Sequence, residues 1–214
     1  MGYHKKIIAA GEKAERIGGF LVNADHLAPL IETAEKVMEK ETRMILAIDG
    51  MAAAGKTTAA AMLSGRWGAP VVHMDDFFLP QELRTGERLY EPGGNVHYER
   101  FMEEVLPHLY TGEGFAYRRF DCGIMGYAGH VPVAAAPVVI VEGAYAMHPR
   151  FGRYWDVGAF FAIFPEEQER RIRARNGDGR WELFRTRWIP MESRYHEAFH
   201  TAERADIIIK TPLG

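Results

Sequence analysis

The sequence predicts an α/β fold, a mostly parallel central sheet with helices on both faces, and three observations lead there. Short apolar runs alternate with longer segments of helical period. Two of those runs stop at an acidic residue followed by glycine, and a glycine-bounded loop separates the first run from an alanine-rich segment. Residues 23–42 read as a helix, because Leu27, Leu30, Ile31, Ala34, Val37 and Met38 recur at helical spacing behind a cap at Asn23 or Asp25. Met44 to Ile48 is a continuous apolar run closed by Asp49-Gly50, the pattern of a buried strand, and Thr57 to Leu63 has helix-forming composition. A strand is then expected over Pro70 to Met74, a helix over Val96 to Tyr110 and a strand over Val138 to Val141, stopped by Glu142-Gly143. Ala159 to Phe164 follows as strand and Glu166 to Arg175 as helix. Arg180 to Phe199 is expected to be mostly helix despite Pro190, and Ile207 to Ile209 to be a last strand. Leu79 to Asn95 and Thr111 to Pro137 carry no such pattern and read as two long irregular flaps.

Composition narrows the function classes. The chain has 214 residues, a formal net charge of -3 and 47% hydrophobic residues, which suits one packed domain and disfavours a broadly basic nucleic-acid binder. The only cysteine, Cys122, excludes an intrachain disulfide framework and fits a reducing compartment. The longest apolar run, Val131 to Val141, is interrupted by Pro132 and Pro137 and is shorter than the ~20 residues of a membrane helix. A cytoplasmic protein without membrane or nucleic-acid partners is expected, and a homo-oligomer is compatible with it. Residues 1–42 form an N-terminal helical extension in this reading and 43–214 the main domain.

Gly50-Met51-Ala52-Ala53-Ala54-Gly55-Lys56-Thr57 fits G-x4-G-K-[ST], and Thr58 continues it into the helix. Small residues let backbone N–H groups wrap phosphates, the lysine reaches the β- and γ-oxygens, and the threonine hydroxyl can ligate Mg²⁺. A chain of this composition would produce the pattern by chance about 0.004 times. Strand before and helix after place the phosphates at a helix N-terminus. Such a loop implies a nucleoside triphosphate, ATP or GTP, without saying what becomes of the γ-phosphate.

The acidic residues bear on that question. Asp75 and Asp76 follow one predicted strand and Glu142 another, so their carboxylates should meet at the carboxyl edge of the sheet, beside the phosphate loop. A carboxylate there can take a hydroxyl proton or hold Mg²⁺; equally, an Asp after a strand can simply cap the next segment.

Together these segments resemble the uridine kinase and phosphoribulokinase branch of P-loop kinases. The resemblance rests on Asp49 through Thr58, His73-Met74-Asp75-Asp76-Phe77-Phe78, Val139 to Gly143, the arginines of 170–180 and Ala205-Asp206-Ile207-Ile208. It implies a three-layer P-loop NTPase fold with an arginine-rich lid. By the resemblance Asp75 activates the acceptor hydroxyl, Glu142 and Thr57 lie beside Mg²⁺ with Asp75, and Lys56 neutralises charge between the β- and γ-phosphates. Phe78 stands where the branch often has tyrosine. The family's Tyr-Asp-Phe and nearby histidine are matched loosely by Phe120-Asp121-Cys122, with Tyr117 upstream and His130 downstream. Tyr117, Asp121 and His130 are thus candidate substrate contacts, with Phe78 and Asp75. Tyr98 and the turn Tyr90 to Asn95 could line the acceptor pocket or merely form a turn and a helix start.

Arg170, Arg171, Arg173, Arg175, Arg180, Arg185 and Arg187 lie within 18 residues, interrupted by Asn176-Gly177-Asp178-Gly179. A hinged lid of guanidinium groups suits phosphoryl transfer, while a solvated basic helix face paired with Glu166, Glu167 and Glu169 is the plainer explanation for any single arginine. The family register favours Arg175 and Arg171 as catalytic, then Arg180 toward substrate. Nine histidines invite a zinc reading, but no His or Cys spacing supports one.

The expectation is an ATP-dependent kinase acting on a hydroxyl of a small-molecule acceptor, a nucleoside by the resemblance. A pantothenate- or sugar-type alcohol is the alternative within that chemistry. A nucleotide-dependent switch is a third reading, although no N-K-x-D guanine motif is present.

Overall fold

The computed structural model describes residues 24–211, so the start of the N-terminal extension, with the candidate cap Asn23, lies outside the described residues. In chain order the elements are α1 (Ala24–Met38), β1 (Met44–Gly50), α2 (Lys56–Trp67), β2 (Val71–His73), α3 (Gly86–Tyr90), α4 (Tyr98–Glu104), α5 (Leu106–Leu109), β3 (Phe115–Asp121) and β4 (Gly126–Val133). They continue with β5 (Val138–Glu142), β6 (Val157–Ala162), α6 (Pro165–Asn176), α7 (Asp178–Leu183), α8 (Ile189–Phe199), α9 (Thr201–Arg204) and β7 (Ile207–Lys210). A π-helical turn, Phe184–Trp188, joins α7 to α8.

The central sheet has five parallel strands in the order β2-β5-β1-β6-β7. β1 lies in the middle, which is why its sequence is apolar at every position rather than alternating: both faces are covered. Met44, Leu46 and Ile48 point into one core with Leu27 and Leu30 of α1 and Ala59, Ala60 and Leu63 of α2. Ile45 and Ala47 point into the other, with Tyr98 and Phe101 of α4, Tyr117 of β3 and Tyr195 of α8. The period of two thus sorts one strand between two helical layers. Among the described residues no helix is long and apolar enough to cross a membrane.

Three expectations change. The second flap is not irregular: β3 and β4 form an antiparallel hairpin outside the main sheet, with Tyr117 opposite Val131 and Arg118 opposite His130. Tyr117 and Phe120 turn inward while Arg118 and Arg119 turn out, and the register shift between Arg118 and Phe120 disguises the alternation of a strand. The helix expected over Val96 to Tyr110 is two, broken at Val105; Pro107 supplies no N–H to carry one helix through. The first flap, 79–95, holds the short helix α3 and a 3-10 turn at Gln81–Leu83.

Buried Asp49 ties the layers together at the carboxyl end of β1. Its carboxylate accepts from the backbone N–H of Gly50 (2.6 Å), Tyr145 (3.2 Å) and Met147 (2.8 Å) and from the Tyr195 hydroxyl (2.8 Å). Four donors offset the cost of burying this charge, and they bind β1, the loop after β5 and α8 at the edge where ligands bind in such sheets.

Candidate functional site

A cavity of about 530 Å³ opens at that edge. It is lined by Ala52 to Thr58, by Arg171, Arg175, Arg180, Phe184, Trp188 and Glu192 of the arginine-rich segment and α8, by Glu142 to Tyr145, and by Asp75, Phe78, Arg84, Asn95, Cys122 and Met125.

The phosphate loop is shaped by its backbone. Gly50 has φ 135° and lies so close to β6 that an added Cβ would sit 2.2 Å from the Phe161 carbonyl oxygen, so glycine is required. Side chains hold the loop's carbonyls from behind: Gln168 Nε2 donates to Ala52 O (2.9 Å) and Thr211 Oγ1 to Ala54 O (2.7 Å). Arg171 reaches Ala53 O at 3.5 Å while paired to Glu167 at 2.6 Å. Facing the cavity are the first amides of α2, Lys56 to Thr58, which lack intrahelical partners and form an anion-binding end. Lys56 Nζ folds onto the loop, donating to Gly50 O (2.7 Å) and Met51 O (2.9 Å). Gly50 and Met51 therefore anchor the lysine and do not line the cavity, whereas the other loop residues do.

The carboxylates gather opposite. Glu142, at the end of β5, stands 3.3 Å from the Thr57 hydroxyl through one oxygen and 2.5 Å from His73 Nδ1 through the other. That contact raises the pKa of His73 above its ordinary value. Asp75 follows β2 in a 3-10 turn (Met74–Phe77) and opens onto the cavity; the walls around it, then the charge of Glu142, push its pKa up. Gly143 lets β5 pass the Met74 side chain, where a Cβ would come within 2.8 Å. Tyr145 is held at φ 74°, unusual for a bulky residue, by its bond to Asp49, and it also lines the cavity.

The hard oxygen donors Thr57, Glu142 and Asp75 fit Mg²⁺, which typically binds one or two carboxylates together with substrate phosphates. Among the described residues no set of three or more His, Cys, Asp or Glu side chains forms a complete metal cage, so the fit depends on the nucleotide supplying further ligands.

The arginine segment divides by partner. Arg173 pairs with Glu169 and Asp178, Arg185 with Glu182, and Arg170 with Glu167, all along the lid's surface. Arg170 and Arg171 hold the Glu167 carboxyl down at about 2. Arg175 and Arg180 are exposed and line the cavity; buried Arg171 sits at the root of the lid against the loop.

Four residues expected at the substrate are elsewhere. Tyr98 is buried under Arg88 and Arg150, with their guanidinium carbons 3.7 and 4.4 Å from its ring centroid. Tyr117 donates to Asp76 Oδ2 (2.9 Å) inside the core; Asp121 accepts from Gly123 N (2.7 Å) to form the hairpin turn; His130 is exposed on β4. None lines the cavity, because the hairpin reaches it with its tip, Cys122 and Met125, rather than its strands.

Sequence reading missed Arg84, Tyr145, Phe184, Trp188 and Glu192. Glu192 on α8 accepts from Ala52 N (2.8 Å), and burial pushes its pKa up to about 7. The visible signal was the spacing of Glu192 and Tyr195, which share a helix face directed at the loop and at Asp49.

No family model matches the chain. Solved structures do. A possible uridine kinase from Bacillus stearothermophilus superposes with TM-score 0.64 at 19% identity, covering 87% of this chain and 98% of its own. A candidate fructose transport system kinase from a Silicibacter species gives 0.61 at 21%, covering 84% and 98%. The D-glycerate 3-kinase of Cryptococcus neoformans gives 0.55 at 14%, covering 76% and 84%. At these identities the likeness is one of architecture: the chain has the three-layer α/β P-loop NTPase fold on which these proteins are built.

Proposed function

We propose that the protein is an ATP-dependent phosphotransferase that moves the γ-phosphoryl group to a hydroxyl of a small metabolite. The observation that carries this reading is Asp75, whose carboxylate opens onto the same cavity as Lys56 and Thr57. Asp75 takes the proton of the acceptor hydroxyl as its oxygen bonds to the γ-phosphorus and the bond from that phosphorus to the β-bridging oxygen breaks. Lys56 leaves its carbonyl partners for the β- and γ-oxygens, and Arg175 and Arg180 add positive charge from the lid. Arg171, braced by Glu167, fixes the lid's root to the loop. Thr57, Glu142 and Asp75 would hold Mg²⁺, which when bound supplies charge neutralisation at the phosphates.

The acceptor has two readings. The family resemblance favours a nucleoside such as uridine. The cavity lining favours a non-nucleoside alcohol, since Tyr117, Asp121 and His130, on which nucleoside recognition would rest, do not reach it. A screen of alcohols with γ-labelled ATP tests the proposal. Label is expected in an organic phosphate only when the correct alcohol is present. Label released as inorganic phosphate at one rate whatever alcohol is added would favour the nucleotide switch.

A further inference from the structure

The wall opposite the phosphate loop holds two polar groups the chemistry above does not use. Asn95 is 3% exposed and lines the cavity, and its side-chain oxygen has no hydrogen-bond partner. A buried amide oxygen left unpaired is destabilising, and a donor arriving from the cavity relieves it. Arg84 lines the same wall, half-buried, and among the described residues no carboxylate lies within ion-pair distance of it.

Both are built in by one residue. The buried Leu79 donates its N–H to the Asn95 carbonyl (3.2 Å), and its own carbonyl accepts from Arg84 Nε (2.7 Å). Arg88 fastens the same loop from the other side through Gly94 O (3.0 Å) and Val96 O (3.1 Å). Leu79 follows Phe78 directly, so the pair is fixed in register with the turn that carries Asp75. With Nε occupied and the Cys122 thiol within hydrogen-bond reach of the guanidinium, the remaining donors of Arg84 can offer hydrogen bonds to an anion, while Asn95 offers an acceptor.

We propose that Arg84 and Asn95 are the recognition end of the acceptor site and select a small polyhydroxy acceptor carrying a compact oxyanion, a carboxylate or a phosphate ester. The anion pairs with the Arg84 guanidinium, a hydroxyl donates to Asn95 Oδ1, and a second hydroxyl faces Asp75. An uncharged alcohol would leave the guanidinium without the charge-assisted bonds it forms best. This assignment rests on the phosphotransferase reading and names its substrate class.

Three probes sharing one carbon scaffold test it: D-glycerate, glycerol 3-phosphate and glycerol, with uridine as the neutral nucleoside. Affinity is measured by thermal shift and calorimetry, with and without a non-hydrolysable ATP analogue. At least one charged probe is expected to bind tenfold or more tightly than glycerol and uridine. Arg84→Gln should abolish that preference, and Asn95→Ala should weaken the charged probe, while both variants keep the wild-type response to the analogue. D-glycerate and glycerol 3-phosphate compared with each other identify the oxyanion. Equal or tighter binding of the neutral probes, or a preference that survives Arg84→Gln, overturns the assignment, as does an Arg84→Gln variant that loses analogue affinity instead. If Arg84→Gln does not fold, Arg84→Lys replaces it, with a reduced preference expected and an unchanged one contradictory. Absence of any response to the analogue would sink the phosphotransferase reading separately, and the comparison of probes without nucleotide would still judge the pocket.

Discussion

The two ends of the cavity are made differently. The phosphate end is a single stretch of nine residues, Gly50 to Thr58, shaped by backbone: a glycine pressed on β6, Ala53 at φ 59°, Gly55 at φ 92°, and amides at the start of α2. The acceptor end is assembled from side chains that are remote in sequence: Asp75 and Phe78 after β2, Arg84 and Asn95 from the first flap, Cys122 and Met125 from the hairpin tip. A backbone cradle binds what all nucleoside triphosphates share and needs little more than glycine, small residues and a helix start. A wall of separate side chains can change one residue at a time, so specificity is expected there.

Substitutions can break that contrast. The largest effect should come from Gly50→Ala, whose Cβ meets backbone atoms of Phe161 that cannot yield. A loss of more than about 4 kcal/mol is expected, read as failure to fold or a large fall in denaturation midpoint. Lys56→Ala keeps the fold and should lower phosphoryl transfer by about 10²–10³-fold. It should spare the binding of acceptor probes to the far wall, which calorimetry without nucleotide can check. In the lid, Arg175→Ala should reduce kcat about tenfold, equivalent to about 1.4 kcal/mol of charge compensation. Arg173→Ala, which removes exposed pairs with Glu169 and Asp178 and a guanidinium contact with the Trp181 ring outside the cavity, should leave kcat within about twofold. Equal losses from the two would mean that the lid acts by its overall charge rather than by position.

The last effect, on stability rather than on transfer, concerns Glu192, which joins α8 to the loop. In the folded protein it keeps its proton up to about pH 7, whereas the unfolded chain loses it near the ordinary glutamate value of 4.5. The native state therefore binds more protons through that window, and stability falls as pH rises across it. Glu192→Gln can still accept from Ala52 but has no charge to bury. Relative to wild type its melting temperature should be higher at about pH 8 than at about pH 5, by roughly 5–10 °C. A difference that does not vary with pH would show that the carboxylate is not desolvated at the loop.

What could be read from the sequence follows the same division. The five strands of the main sheet and the phosphate loop are local patterns, and the apolar run from Met44 to Ile48 with the glycines after it specifies β1 and the loop. The hairpin escaped because a register shift between Arg118 and Phe120 breaks its alternation, and the break at Val105 lies within an otherwise helical period. The acceptor wall escaped for another reason. The family resemblance points Tyr117, Asp121 and His130 at the substrate, yet the hairpin sends Tyr117 into the core and His130 to solvent. The turn that ends at Asn95 could be read as pocket lining or as a plain turn, and nothing local decided between them, because its hold on Leu79 is a long-range backbone bond.

The most direct measurement is a single-turnover transfer assay with γ-labelled ATP and the alcohol found in the screen, comparing wild type with Asp75→Asn. Asparagine fills the same space but cannot take the hydroxyl proton. The expected result is ATP affinity within a few-fold of wild type and transfer slower by about 10²–10⁴-fold. Transfer by Asp75→Asn at the wild-type rate would contradict the assignment of Asp75 as the base, and with it the proposed mechanism.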